Sequence, residues 1–157
     1  MRVLDAEETR WWWEARPGLG REGDLGVRAR VDANFESRQM MILGFASTLA
    51  YWLGGQGKVV VSVFECGIWM ENWELFNAWR KAHGEMRSLE EAPGHEFTAE
   101  EIEPCTSMLQ LGLSFGWGLS CGCEESGRAF HVNHDGHGLV VGPDAGDIGP
   151  IVETLVR

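Results

Sequence analysis

The chain has 157 residues, the size of one domain, and its 44% apolar and 24% charged residues match a globular rather than a disordered composition. A formal net charge of -11 repels phosphate backbones and anionic membrane surfaces, which argues against nucleic-acid and membrane binding, and speeds encounter with cationic partners.

In chain order, Leu4 to Arg16 is predicted as a short helix carrying Trp11, Trp12 and Trp13, ended by Pro17-Gly18. Neighbours on a helix point about 100° apart, so at least one of the three indoles is expected at the surface. Glycines 18, 20, 23 and 26 mark a loop, and Val27 to Val31 alternate as a strand. From Asn34 to Leu53 apolar residues cover much of the circumference, as in a central helix that Gly54-Gly55 stops. No charge occurs from Gln39 to Gly57, but the apolar heart, Met40 to Leu53, spans only about 21 Å against roughly 30 Å of hydrocarbon, so it reads as a core helix. Lys58 to Glu65 reads as a strand buried on both faces.

Asn72 as N-cap predicts a helix to His83, with Leu75, Phe76 and Trp79 on one side. Glu85 to Leu89 reads as a short edge strand and Pro93-Gly94 as a turn. Thr98 with Glu101 forms a capping-box pattern opening a helix from Ala99 to about Phe115. A meander follows: Trp117 to Cys123 pairs with Arg128 to Asn133 through a Gly127 turn, and Asp135-Gly136 leads into His137 to Val141. Asp144, Gly146 and Pro150 then read as a loop before a short terminal segment. The expected architecture is a single α/β (α+β) domain over residues 1–157: a mixed sheet with a C-terminal antiparallel meander and helices packed against it. The link from Val59–Phe64 to Trp117–Cys123 is long enough for a right-handed parallel crossover.

Residues 1–31, rich in glycine, hold six Arg and six acids and sum to zero; residues 32–157 carry the whole acidic excess. The densest stretch is Glu85 to Glu103, with seven Glu against Arg87 alone. Asp5, Glu7 and Glu8 stand where an export signal would need basic and then apolar residues, which points to the cytoplasm and to reduced thiols at Cys66, Cys105, Cys121 and Cys123.

Three chemistries are open to these residues. Cys121, Cys123, His131, His134 and His137 are zinc-ligand types near one hairpin, but Cys-Gly-Cys and His-x-x-His-x-x-His do not have the usual spacing, and on a strand His131 and His134 would face opposite ways. Cys121 or Cys66 with a His base and Asp135 would make a thiol hydrolase, yet no glycine-framed elbow surrounds either Cys. Phosphate binding fails for want of a Walker-type or dinucleotide motif. No cofactor is expected.

Three segments, Val63 to Trp69 (VFECGIW), Glu91 to Phe97 (EAPGHEF) and Phe115 to Gly118 (FGWG), with His134-Asp135 downstream, resemble a group of small uncharacterised bacterial proteins. The resemblance covers about residues 36–137 and implies one fold and a bacterial source, without an activity. Gly118 stands where that group carries Asp, so any role of that acid is absent here. The residues themselves favour a non-enzymatic binding module over an enzyme. Its acidic surface, Glu90, Glu91, His95, Glu96, Glu100 and Glu101, would hold a basic protein, such as the toxin partner of an immunity or antitoxin protein, with Trp69 or Trp73 as anchor. His95 among these carboxylates is expected to protonate readily, as an internal counter-charge or a contact. A metal or thiol enzyme at the hairpin and a structural subunit of a bacterial assembly, suggested by the eight Trp, are the alternatives.

Overall fold

In the computed structural model, which describes residues 1–20, 26–33, 39–54 and 57–156, the chain runs β1 (Arg2–Leu4), α1 (Ala6–Glu14), β2 (Val27–Asp32), α2 (Gln39–Gly54), β3 (Val59–Glu65), α3 (Met70–Ala82), β4 (Gly94–Phe97), a 3-10 turn (Ala99–Glu101), α4 (Ile102–Ser114), β5 (Gly118–Cys123), β6 (Arg128–Val132), β7 (His137–Gly142) and α5 (Ala145–Val156). Seven strands form one sheet in the order β1-β4-β3-β5-β6-β7-β2, each pair antiparallel. This is an α+β fold with helices packed on a sheet, and the β5–β6–β7 meander lies where the turn residues put it. β3 and β5 are neighbours but antiparallel, so the parallel pairing of a mixed sheet is not formed. The reason is β4: it returns alongside β3, α4 climbs back, and β5 starts at the end where β3 finished.

Strand alternation divides the sheet into two faces. On one, Val59, Val61, Val63, Phe97, Leu119, Cys121, Phe130 and Val140 meet α2, α4, α5 and Phe76 of α3 in the main core. On the other, Val60, Ala129 and Val141 pack with Leu4, Trp12 and Leu19 beneath α1. β3 is thus covered on both sides, as its nearly continuous apolar run requires. Glycines set how closely α1 can sit. A Cβ at Gly94 would lie 2.3 Å from Thr9 Oγ1, and one at Gly122 would lie 3.2 Å from the Trp13 ring and 3.3 Å from Trp12. Of the three adjacent indoles, Trp12 is buried, Trp13 half-buried and Trp11 exposed.

The α1 face also holds buried polar groups, each with a partner. Trp13 Nε1 donates to Ser62 Oγ at 3.0 Å, and Ser62 Oγ donates to the Ser120 carbonyl. His131 lies between Ser120 Oγ at 2.9 Å and the Leu19 carbonyl at 2.8 Å. A carbonyl can only accept, so Nε2 carries the proton and Nδ1 accepts from the Ser120 hydroxyl. These bonds offset the cost of burying the groups.

Several elements differ from expectation. The opening forms β1 before its helix, Glu85–Leu89 is not a strand, and the turn residues Pro93-Gly94 lead directly into β4. Asp144–Pro150, read as a loop, begins α5: the Asp144 carboxylate accepts from Asp147 N–H, and Ile148, Ile151 and Leu155 are buried. Pro150 falls early enough in that helix to remove only one of its bonds. α3 starts at Met70 rather than after Asn72, with Trp69 at its N-cap. The expected helix start at Asn34 and the Gly23 loop lie outside the described residues.

If α1 rests on the bare backbone of β5, Gly122→Leu must lift it. The substitution is expected to lower unfolding free energy by about 1–3 kcal/mol in urea titration; an unchanged midpoint would show that α1 does not depend on this glycine.

Candidate protein-binding surface

β3 ends in a register shift between Val63 and Glu65, with Phe64 half out in solvent at 42%. Such a bulge re-aims the next side chain. Here it turns the Glu65 carboxylate towards the β6–β7 turn, where it accepts from His134 N–H at 3.2 Å and from His134 Nδ1 at 3.0 Å. Only glycine fits opposite, since a Cβ at Gly118 would lie 2.8 Å from Glu65. The Glu65 pairing raises the pKa of His134, with Asp135 adding to it.

Beyond the bulge the chain projects an apolar loop. Ile68 is 87% exposed, Trp69 66% and Met70 66%, three consecutive large side chains with little to cover them. Trp73 Nε1 donates to the Gly67 carbonyl at 2.7 Å, pinning the loop to the first turn of α3. Leu75 continues the exposed apolar surface along α3, and Glu71 and Glu74 lie exposed beside it. The inner side of α3 is aromatic: Trp73 and Phe76 meet Trp117 at ring-centre distances of 5.3 and 5.1 Å, and Phe115 meets Trp117 at 5.2 Å.

Arg80 anchors the other end of α3. It is 1% exposed. Its guanidinium donates to the carbonyls of Arg87 at 2.8 Å, Ser88 at 3.4 Å and Ala92 at 2.9 Å, and Nε donates to His95 Nε2 at 3.2 Å. His95 is fully buried, and desolvation together with the Arg80 charge pushes its pKa down to about 3. The expectation of a readily protonated His95 on a partner surface is therefore reversed: the ring stays neutral because it must accept from a cation and has no water to stabilise a proton. The turn that Arg80 fixes carries Glu85, buried and held by Arg87 through bonds of 2.6 to 3.2 Å, its pKa lowered to about 2 chiefly by that side-chain pairing.

The acidic stretch is not one face. Glu90 and Glu91 precede β4 at the end of the sheet where the apolar loop lies, and Glu90 contributes, after desolvation, to raising the Cys66 thiol to about 11. Glu96, Glu100 and Glu101 lie across β4 at the opposite end, on the order of 10–15 Å away. There Glu96 pairs with Lys58 at 3.2 Å and Glu101 with the Met1 amino group, while Glu100 accepts from Thr98 Oγ1. Of the two anchors expected, Trp69 is exposed and Trp73 is half-buried with its donor used. Ile68, Met70, Glu71 and Glu74 are not singled out by the sequence reading, although the run Ile68-Trp69-Met70 between a glycine and a helix start is the signal that could have found them; Leu75, expected on one side of the helix with Phe76 and Trp79, is instead exposed at 53% while Phe76 is buried.

The Cys/His set is not brought together. Cys121 and Cys123 point into the helix-side core, His131 lies on the α1 face, and His134 in the β6–β7 turn and His137 at the start of β7 pair with Glu65 and Asp32, the last residues of β3 and β2. Among the described residues no three His, Cys, Asp or Glu side chains are placed to hold a metal ion. Burial raises the thiols of Cys105, to about 12, and of Cys121 and Cys123, so none is poised as a nucleophile. The cavity of about 420 Å³ beside the β6–β7 turn is rimmed by His134, Asp135, His137 and Asp32 over Leu113 and Trp117.

Val63–Trp69, Phe115–Gly118 and His134-Asp135 lie together at this end of the sheet, whereas Glu91–Phe97 runs from it along β4 towards the other. The chain matches no protein-family model, no curated protein and no solved structure. Among the described residues, no helix is long and apolar enough to cross a membrane.

The buried ring predicts a pH dependence. Unfolded His95 takes a proton below about 6.5, whereas the folded ring refuses it down to about 3, so stability should rise with pH across that window. Glu85 acts in the same direction below about 4.5. His134, with a raised pKa, acts oppositely: its contribution is present below 6.5 and fades as pH rises through the folded value. Wild type is expected to lose denaturant resistance between about pH 7 and about pH 4, and His95→Gln, which keeps an acceptor for Arg80, to show a flatter profile. Equal slopes would mean that His95 titrates normally.

Proposed function

We propose that this chain is a binding module for a basic protein partner, of the kind exemplified by immunity proteins and antitoxins, and that it engages the partner with the end of the sheet from which Ile68, Trp69 and Met70 project. The observation that carries this reading is that projection: three adjacent large apolar side chains, each at least 66% exposed, with Glu65, Glu71, Glu74 and Glu90 nearby in the fold. Large exposed apolar patches rimmed by polar groups are characteristic of association sites. An indole offers a large contact area at low entropic cost, and truncating such an anchor commonly costs 2 kcal/mol or more, about a thirtyfold loss of affinity. The carboxylate rim supplies steering and selects against acidic proteins. Four free thiols suit a reducing, cytoplasmic setting for the complex.

The surface differs from the one the acidic run alone suggests. Glu90 and Glu91 remain within reach of it; Glu96, Glu100 and Glu101 belong to the far end, where Glu96 and Glu101 are held in ion pairs and exposed Glu100 accepts from Thr98. Trp69 is the anchor, and Trp73 holds the loop that presents it.

Immobilised wild-type chain exposed to native bacterial lysate is expected to retain a protein of high isoelectric point, with retention falling as salt rises. Trp69→Ala should reduce that retention by about tenfold or more, and Glu71→Lys with Glu74→Lys should remove most of its salt dependence, while Glu100→Lys leaves both unchanged. Failure to retain any basic protein at low and moderate salt, or retention indifferent to Trp69→Ala, would sink the reading.

A further inference from the structure

α2, α4 and α5 form the helical layer on one side of the sheet, and between them they carry only three charged side chains, Glu103, Asp147 and Glu153. Charged residues make up 24% of the chain, so charge is withdrawn from this layer. Asp147 is further engaged by Arg128, Oδ2 accepting from Nε at 3.0 Å. α2, which lies between α4 and α5, has no charged residue at all, yet it is not enclosed. Met41, Leu43, Gly44, Thr48 and Tyr51 are exposed, Tyr51 at 62%. Met41, Gly44, Thr48 and Tyr51 follow spacings of three and four and so share one outward stripe. A solvent-facing helix stripe ordinarily carries charged residues.

Gly44 adds an independent observation. A Cβ there would meet nothing within 4 Å, so packing within the described chain makes no use of the missing side chain, although glycine inside a helix weakens it.

We propose that this stripe of α2 is the docking surface for a second copy of the chain, helix against helix across a two-fold axis. Charge selects the occupant. Copies that each carry -11 repel most where their carboxylates face one another, and α2, which brings no charge of its own, is where they can approach with the least of that penalty. A basic protein finds no carboxylate on α2 to pair with. An anionic lipid surface finds no Lys or Arg on any of the three helices, whereas helices that lie on such surfaces are rich in both. A two-fold contact sets one patch against itself. Met41, Thr48 and Tyr51 bring no charge to such a contact, and the bare backbone at Gly44 lets the two helix axes come close.

Sedimentation velocity of the full chain from about 1 to about 100 µM should show twice the mass of one chain at the upper end, and the dimer should tighten between about 0.05 and about 0.5 M salt as repulsion between copies is screened. Thr48→Glu and Tyr51→Glu change exposed side chains, so each should keep the wild-type circular dichroism spectrum while weakening self-association by about tenfold or more. Trp69→Ala should leave self-association unchanged. A monomer at the highest concentration and salt overturns the proposal, as does a dimer that survives both Glu substitutions. A dimer abolished by Trp69→Ala also overturns it, because the copies would then meet through the apolar loop.

Discussion

A guanidinium held away from water has to have its donors met, and Arg80 meets them with three carbonyls and one imidazole. Each of those partners commits another part of the molecule. The carbonyls of Arg87, Ser88 and Ala92 bend residues 85–92 into the turn that occupies the place of the expected edge strand. The ring of His95 can accept only while neutral, which is why β4 enters the sheet with an uncharged histidine among Phe76, Trp79 and Arg80. Because Arg80 belongs to α3 and His95 to β4, the two elements are tied together, and the apolar loop at the other end of α3 inherits its position from that tie. Removing one partner of a buried charge typically costs about 3–5 kcal/mol, so the loop is presented by a rigid base.

The acid excess is distributed with comparable economy. Glu85, Glu96 and Glu101 are engaged by Arg87, Lys58 and the Met1 amino group, so part of the densest acidic run stabilises the fold instead of facing solvent. The carboxylates left exposed on α3 and before β4 lie near the projecting loop. Along the outer helices charge nearly disappears. One sequence-level property, a net -11, therefore resolves into an internally paired fraction, an acidic rim at one end of the sheet and an uncharged layer, and each has different physical consequences.

Elements whose own residues decide them were legible in the sequence: the charge-free α2, the valine run of β3, the capping box before α4, and the hairpins at Gly127 and Asp135-Gly136. Elements decided by tertiary contacts were not. β1 has three residues and exists because β4 lies beside it; β4 begins at a Pro-Gly pair that reads as a turn; α5 contains Gly146, Gly149 and Pro150 and is held by burying Ile148, Ile151 and Leu155. The candidate site followed the same division. Trp69 could be named because an exposed indole is a sequence-level suspicion, but the environment of His95 could not, since its neighbours in sequence are carboxylates and its neighbours in space are aromatic rings and a guanidinium. The Cys/His set failed for a related reason: residues one strand apart in sequence occupy opposite faces of a sheet only one layer thick.

The two proposed surfaces point in different directions, the α2 stripe away from the sheet and the apolar loop past its end, so a copy docked on one leaves the other open. If both proposals hold, the two are coupled, because both depend on the same charge. A basic partner bound at the loop lowers the net charge of each copy and so weakens the repulsion that opposes pairing through α2. By reciprocity, pairing of two acidic copies raises the local negative potential and favours the basic partner. No conformational change is needed for this coupling. It follows from an acidic excess placed beside one interface and withheld from the other.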